Sequence, residues 1–253
     1  STQKLIPKAV ANAETEPCLW MRGILPIKYI DIPDEALPPD THEVTWIDPE
    51  VSLITSGTYY GDASGGFYTA YPEIRRVGCR FVSIDGAGEL VLGAHFPLPG
   101  IAQTVPRGEL FALVELIQQA RAGSDIEYVT DNKWVFDTFN KGPKYACQCN
   151  NSDLFYILFR DTISKAIKLN VRWMPSHLDL GEKKWPSNVS KLDVEGNKLA
   201  DKYAGEASEK AIAPLQVRTD VVFSYSLVKR IQKRIIAIIQ SLPARQKKQN
   251  VLT

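Results

Sequence analysis

From about Ser56 to Lys210 the apolar positions change period in a definite order. Thr58–Asp62 is a short aromatic, β-favouring run that ends on a carboxylate. Ile74–Ile84 supplies Val77, Cys79, Phe81 and Val82, and Glu89–Phe96 returns after Asp85-Gly-Ala-Gly88, a hairpin signal. Three such runs joined by turns predict an antiparallel meander. The period then becomes helical: Leu110, Leu113, Val114 and Ile117 give Arg107–Arg121 one apolar face, and Gly123 stops it. Ile126–Thr130 predicts a short buried strand. Asp131-Asn132 then caps a helix running to about Asn140. After a loop over 141–150, Ser152 or Asp153 caps a helix with Leu154, Ile157, Leu158 and Ile163 inward. Leu169–Met174 is a fifth strand, and Asp193–Lys210 is a closing helix with Leu199, Tyr203 and Ala207 on one side.

This order predicts an α/β fold with a mixed five-stranded sheet, a three-strand meander plus parallel strands, flanked by helices. A right-handed crossover puts the fourth strand parallel to the first and beside it. Asp62 and Asp131 then end adjacent strands, where an α/β sheet opens its crevice. Glu109 lies in the first turn of the crossover helix and Asp201 on the closing helix, so the four acids can converge.

The flanks differ. Residues 1–50 carry Pro7, Pro17, Pro26, Pro33, Pro38, Pro39 and Pro49, which argue against long helices. They read as an N-terminal extension or linker before a main domain over 51–212. Residues 213–253 read as an amphipathic basic helix and tail. Leu227, Ile231, Ile235, Ile238 and Leu242 form a stripe flanked by Lys229, Arg230, Lys233 and Arg234, and Arg245, Lys247 and Lys248 follow.

The bulk numbers only bound this picture. Hydrophobic residues at 44% and charged residues at 23% suit a globular protein, and a net charge of +1 leaves nucleic-acid binding to local patches. No apolar run approaches the ~18 residues of a membrane span, and no signal peptide is evident, so an intracellular location, nucleus or cytoplasm, is expected. Cys18, Cys79, Cys147 and Cys149 form no disulfide framework, and Cys147-Gln-Cys149 lacks a second ligand pair for zinc. Each acid alone has an ordinary explanation as a turn, a cap or a solvated helix residue.

Taken in order, several pieces carry a resemblance: Gly61-Asp62-Ala-Ser64-Gly65-Gly66, Gln103-Thr104-Val-Pro-Arg107-Gly-Glu109, Tyr128-Val-Thr-Asp131-Asn132, Asn151-Ser-Asp-Leu-Phe155, Val171-Arg-Trp-Met-Pro-Ser-His177 and Gly196-Asn197-Lys-Leu-Ala-Asp201. Over about residues 56–210 the chain resembles the type 1 ribonuclease H family, particularly the ribonuclease H domains of retroelement reverse transcriptases. The resemblance implies a metal-dependent endonuclease cutting the RNA strand of RNA–DNA hybrids, leaving 3′-hydroxyl and 5′-phosphate ends. It implies that Asp62, Glu109, Asp131 and Asp201 bind two Mg²⁺ ions, with Mn²⁺ able to substitute, and that His177 assists proton transfer or product release. Thr104 and Asn151 match phosphate-contacting positions. Ser64, Gly65, Arg107, Asn132 and Asn197 complete the expected nucleic-acid contacts, and a reverse transcriptase domain on the N-terminal side is the implied neighbour. Hard carboxylate oxygens suit magnesium.

Two departures stand out. Where many family members have asparagines that read the RNA 2′-hydroxyl, this chain has Val105 and Pro106, whose side chains neither donate nor accept. The loop over 178–192 is also long for the family.

Overall fold

The computed structural model describes residues 6–48, 50, 53–178, 181 and 185–243. They divide into two compact units, one within residues 34–213 and a second formed by 6–33 with 214–243.

The larger unit is built on one mixed sheet in the order β1-β4-β3-β2-β5-β6. Its strands are β1 (Thr45–Trp46), β2 (Gly57–Ser64), β3 (Gly78–Ile84), β4 (Leu90–Pro97), β5 (Asp125–Thr130) and β6 (Lys168–Trp173). The meander β2–β3–β4 is antiparallel, and β5 joins β2 in parallel with β6 beyond it. The sheet thus has six strands where five were expected. The added β1 pairs only Thr45 with His95 and Trp46 with Ala94. Two residues in a proline-punctuated stretch are too few for a period of two to show. Residues 34–48 therefore belong with the larger unit, and His42 is pinned to buried Glu115 at 3.0 Å.

Helices cover both faces. The helix α3 (Val105–Gln119) crosses from β4 to β5, with Leu110, Leu113, Leu116 and Ile117 buried against Phe81, Phe96 and Tyr128. It starts at Val105, with Pro106 in the first turn where its missing N–H costs nothing. Next come α4 (Lys133–Asn140), the short α5 (Pro143–Ala146) inside the expected loop, and α6 (Ser152–Ser164). On α6 the buried residues are Leu154, Phe155 and Leu158; Ile163, expected inward, is 75% exposed.

The other face is closed by α7 (Lys191–Lys210). Ser190 caps it in a box with Asp193, and Arg172 on β6 grips that Asp193 through both terminal nitrogens at 2.6 and 3.1 Å. Two glycines set how closely α7 lies on the sheet. A Cβ on Gly196 would fall 2.3 Å from the Tyr60 ring, and one on Gly78 would fall 2.3 Å from the main chain at Ala204 and Ser208.

The smaller unit packs α1 (Ile6–Asn12) and α2 (Pro17–Arg22) with α8 (Leu215–Ser241) around Ala9, Leu19, Trp20, Val228 and Ile231. Short helices thus replace the irregular chain expected of residues 6–33. Gly23 ends α2 in the left-handed region at φ 64°, and its carbonyl accepts from Gln232. The apolar stripe of α8 is covered through Ile235, whereas Ile238, Ile239 and Leu242 are exposed. Lys229, Arg230 and Lys233 face solvent, and Arg245, Lys247 and Lys248 lie outside the described residues.

Candidate active site

Each carboxylate reaches the site from a different element, and the sheet register explains the meeting. The parallel pairing of β2 with β5 runs to Tyr60↔Val129. Two residues further on, Asp62 comes level with Asp131 where the strands part. Gly61 is needed here, because a Cβ would overlap the Tyr128 hydroxyl. Glu109 arrives from α3, which starts at Val105 rather than the expected Arg107 and so places Glu109 just past its first turn. That turn presses so closely that a Cβ on Gly108 would fall 2.5 Å from Val77 and 2.8 Å from Ala63.

One carboxylate oxygen each from Asp62, Glu109 and Asp131 lie within 4.8 Å of one another. Asp62 is 8% exposed and Glu109 7%. Burial, with the Asp131 and Asp201 charges adding to it, pushes the Asp62 carboxyl up to about 8, although the Ala63 N–H opposes this at 2.7 Å. Glu109 is driven well above the carboxylate range by burial and by Asp62 and Asp131. Asp131 is raised mainly by burial, against a hydrogen bond from Asn197 and the attraction of His177. Three acids close together, two of them buried and one half-buried, favour the neutral form until a cation arrives. The donor set is all oxygen and its pocket is open, which fits a hard divalent cation.

The surrounding cavity, about 710 Å³, is also lined by Ser64, Gly65, Asn132, His177, Asn197 and Asp201. Asp201 is therefore brought to the same cavity on α7 but stands at its exposed rim, outside the group of three. His177 sits at the other rim, with a left-handed φ of 56° that costs a non-glycine residue energy.

Local structure occupies several of the expected nucleic-acid contacts. Asn132 caps α4, accepting from the Trp134 and Val135 N–H groups at 3.0 and 3.1 Å, while its side chain also hydrogen-bonds Glu109. Asn197 donates to Asp131, and its buried Oδ1 has no partner among the described residues. Ser64 Oγ accepts from the Gly66 N–H, and Gly65 leaves room for Thr69 and Val105. Arg107 forms a two-pronged pair with Asp153 at 2.6 and 3.0 Å and reaches Asn151 at 3.2 Å. Asn151 itself has a left-handed φ of 57° ahead of α6. Thr104 is exposed before α3, without a side-chain cap bond. The sequence reading missed Lys198, which lines the cavity and sits one residue after Asn197.

No protein-family model matches the chain, and no curated protein does. Among solved structures it is similar to the RNase H1 of the halophilic archaeon Halobacterium salinarum, at 17% identity and a TM-score of 0.40, over 60% of this chain and 97% of that one. It is similar to the RNase H domain of PFV, a foamy virus, at 19% identity and a TM-score of 0.44, over 62% and 96%. An N-terminal RNase H domain from Mycobacterium tuberculosis, solved as a maltose-binding-protein fusion, follows at 14% and 0.39, over 62% and 96%. The mixed sheet, its strand order and its flanking helices are consistent with a ribonuclease H fold. No helix among the described residues is long and apolar enough to cross a membrane.

Proposed function

We propose that this chain is a divalent-metal-dependent endonuclease of ribonuclease H type, acting on the RNA strand of RNA–DNA hybrids. The observation that carries this reading is the convergence of Asp62, Glu109 and Asp131 within 4.8 Å from β2, α3 and the end of β5. These carboxylates, joined by Asp201 at the rim, would hold Mg²⁺ or Mn²⁺. When bound as a pair, such ions supply a hydroxide nucleophile at neutral pH and relieve charge on the leaving oxygen.

The chain's own residues do the rest. Asn197 and Asn132 fix the orientation of Asp131 and Glu109, so the ligands are set before substrate arrives. His177, exposed at the cavity, would give a proton to the leaving 3′-oxygen, so that 3′-hydroxyl and 5′-phosphate ends result. Thr104, Arg107 and Asn151 form the patch on which a flanking phosphate would rest, Arg107 sharing its charge with Asp153. Ser64 and Gly65 let the backbone approach closely. Val105 lines the cavity without hydrogen-bonding capacity, so main-chain groups would have to read the 2′-hydroxyl.

The test is gel cleavage of end-labelled hybrid, double-stranded RNA and double-stranded DNA, with and without Mg²⁺. Metal-dependent cutting of the hybrid's RNA strand, lost in Asp131→Asn, is the expected result. Cutting of DNA alone would make the chain a DNA nuclease instead, and binding of hybrid without cleavage would make it a binding module.

A further inference from the structure

Asp131 belongs to neither neighbouring element: β5 ends at Thr130 and α4 begins at Lys133. No regular ladder therefore fixes its peptide planes, yet its carboxylate sits in a cluster where a small rotation matters. The register of β5 with β6 ends at Thr130↔Trp173, which puts Trp173 beside this unsupported turn. The Trp173 indole N–H donates to the Asp131 main-chain carbonyl at 3.0 Å. Around that bond, the Met174 N–H donates to the Thr130 carbonyl at 3.0 Å, and the Asn132 N–H donates to Thr130 Oγ1 at 3.1 Å. The Lys133 ammonium lies 5.2 Å from the centre of the indole, closing the ring's outer side. The Trp173 carbonyl in turn accepts from Asn188 Nδ2 at 3.2 Å, at the far end of the loop that follows His177.

We infer that Trp173 is a positioning residue for the metal-binding carboxylate of Asp131, acting through the main-chain carbonyl rather than by touching metal or substrate. The inference rests on the proposed role of Asp131. Turning the 131–132 peptide would break the indole bond and the Asn132 bond together, so the carboxylate is held in one orientation. Hydrogen-bond partners one step behind metal ligands are commonly worth about 10–100-fold in metal affinity or activity. A main-chain carbonyl is a less direct handle than a ligating side chain, so the lower end is expected.

The experiment replaces the donor and keeps the ring. Trp173→Phe retains an aromatic plane for Lys133 and removes the N–H. Replacement by benzothienylalanine, a full-size isostere with sulfur in place of N–H, does the same without opening a gap. Both should keep the wild-type far-UV circular dichroism and metal-free melting temperature. Both should weaken Mn²⁺ and Mg²⁺ binding about 10-fold, read by calorimetry and by the rise in melting temperature with added metal. In cleavage, the loss should shrink as Mg²⁺ is raised, with KM for hybrid unchanged. Asp131→Asn is the control. If it weakens metal binding while both donor-less variants bind as wild type, the inference is overturned and the site stands. If Asp131→Asn also binds as wild type, the proposed metal site itself is wrong.

Discussion

Two regions of this chain gather like charge, and they treat it in opposite ways. In the larger unit, buried Asp62 and Glu109 and half-buried Asp131 are forced together, and their carboxyls rise above the usual range in consequence. On α8, Lys229, Arg230 and Lys233 are spread over an exposed face, where water screens them. A buried cluster stores repulsion that a proton or a tightly held counter-ion relieves, so it should choose a ligand by size and geometry. An exposed row stores little, and should attract any polyanion in a salt-dependent way.

The strongest way to break this contrast is to remove one acid. Asp131→Asn should lower hydrolysis by several orders of magnitude while leaving the fold intact. Its metal-free melting temperature should rise slightly, because a like charge has gone. Near-normal cleavage by the mutant would end the account of the site. His177→Ala comes next, with an expected loss of about 10–100-fold in turnover, the usual range for a proton-transfer group. If turnover is unchanged across pH 6–9, His177 is an ordinary loop residue.

A third measurement reads the combined effect of burial and neighbouring charge on these acids. A carboxyl raised from its ordinary 3.8 to about 8 means that the folded state holds a proton the unfolded chain releases. The metal-free protein should therefore lose stability as pH rises from about 5 to 8 and level off above that, by an amount on the order of a few kcal/mol. Below about pH 4 the trend reverses, since Glu115 and Asp193 have depressed values and lose their pairings there. Saturating Mg²⁺ should flatten the slope between pH 5 and 8. A melting temperature independent of pH in that window, with and without metal, would show that the Asp62 carboxyl is not raised.

The smallest effect belongs to the other region. Reversing charge at Lys229, Arg230 and Lys233 together should leave cleavage of saturating hybrid unchanged. If the row meets phosphates, the slope of log affinity against log salt should flatten by about 2–3, at roughly 0.9 per phosphate for duplex DNA. Identical slopes would make α8 a packing element alone.

Much of the site was legible because three of the four acids sit at the edge of a periodic pattern in the sequence, Asp201 on α7 being the exception. Asp62 closes an aromatic β run, Asp131 follows a buried one, and Glu109 opens an apolar helix; local patterns fix such edges. What was not legible depended on short or non-local facts. Pro17 looked like a helix breaker but occupies the start of α2, where proline is welcome. Ser190 and Asp193 form a capping box whose signature was present and went unread. Ile163 stands nine residues after Leu154, half a turn round the helix from the buried face of α6, and so lies in solvent. That Asn132 serves a helix and Glu109 at once, and that an indole reaches Asp131, are matters of which strand lies beside which.

The close seating of α7 has a consequence for how this molecule could change. Asp201 lies along the helix between the places where Gly196 meets Tyr60 and where the backbone at Ala204 meets Gly78. Those glycines act like the two feet of a bridge, and the carboxylate rides on the span. A single methyl group under either foot would tilt the span and carry Asp201 away from the other acids without touching any of them. Neither glycine bears a functional group, yet both set where the Asp201 carboxylate stands, and tolerance to substitution should be as low at 78 and 196 as at 62.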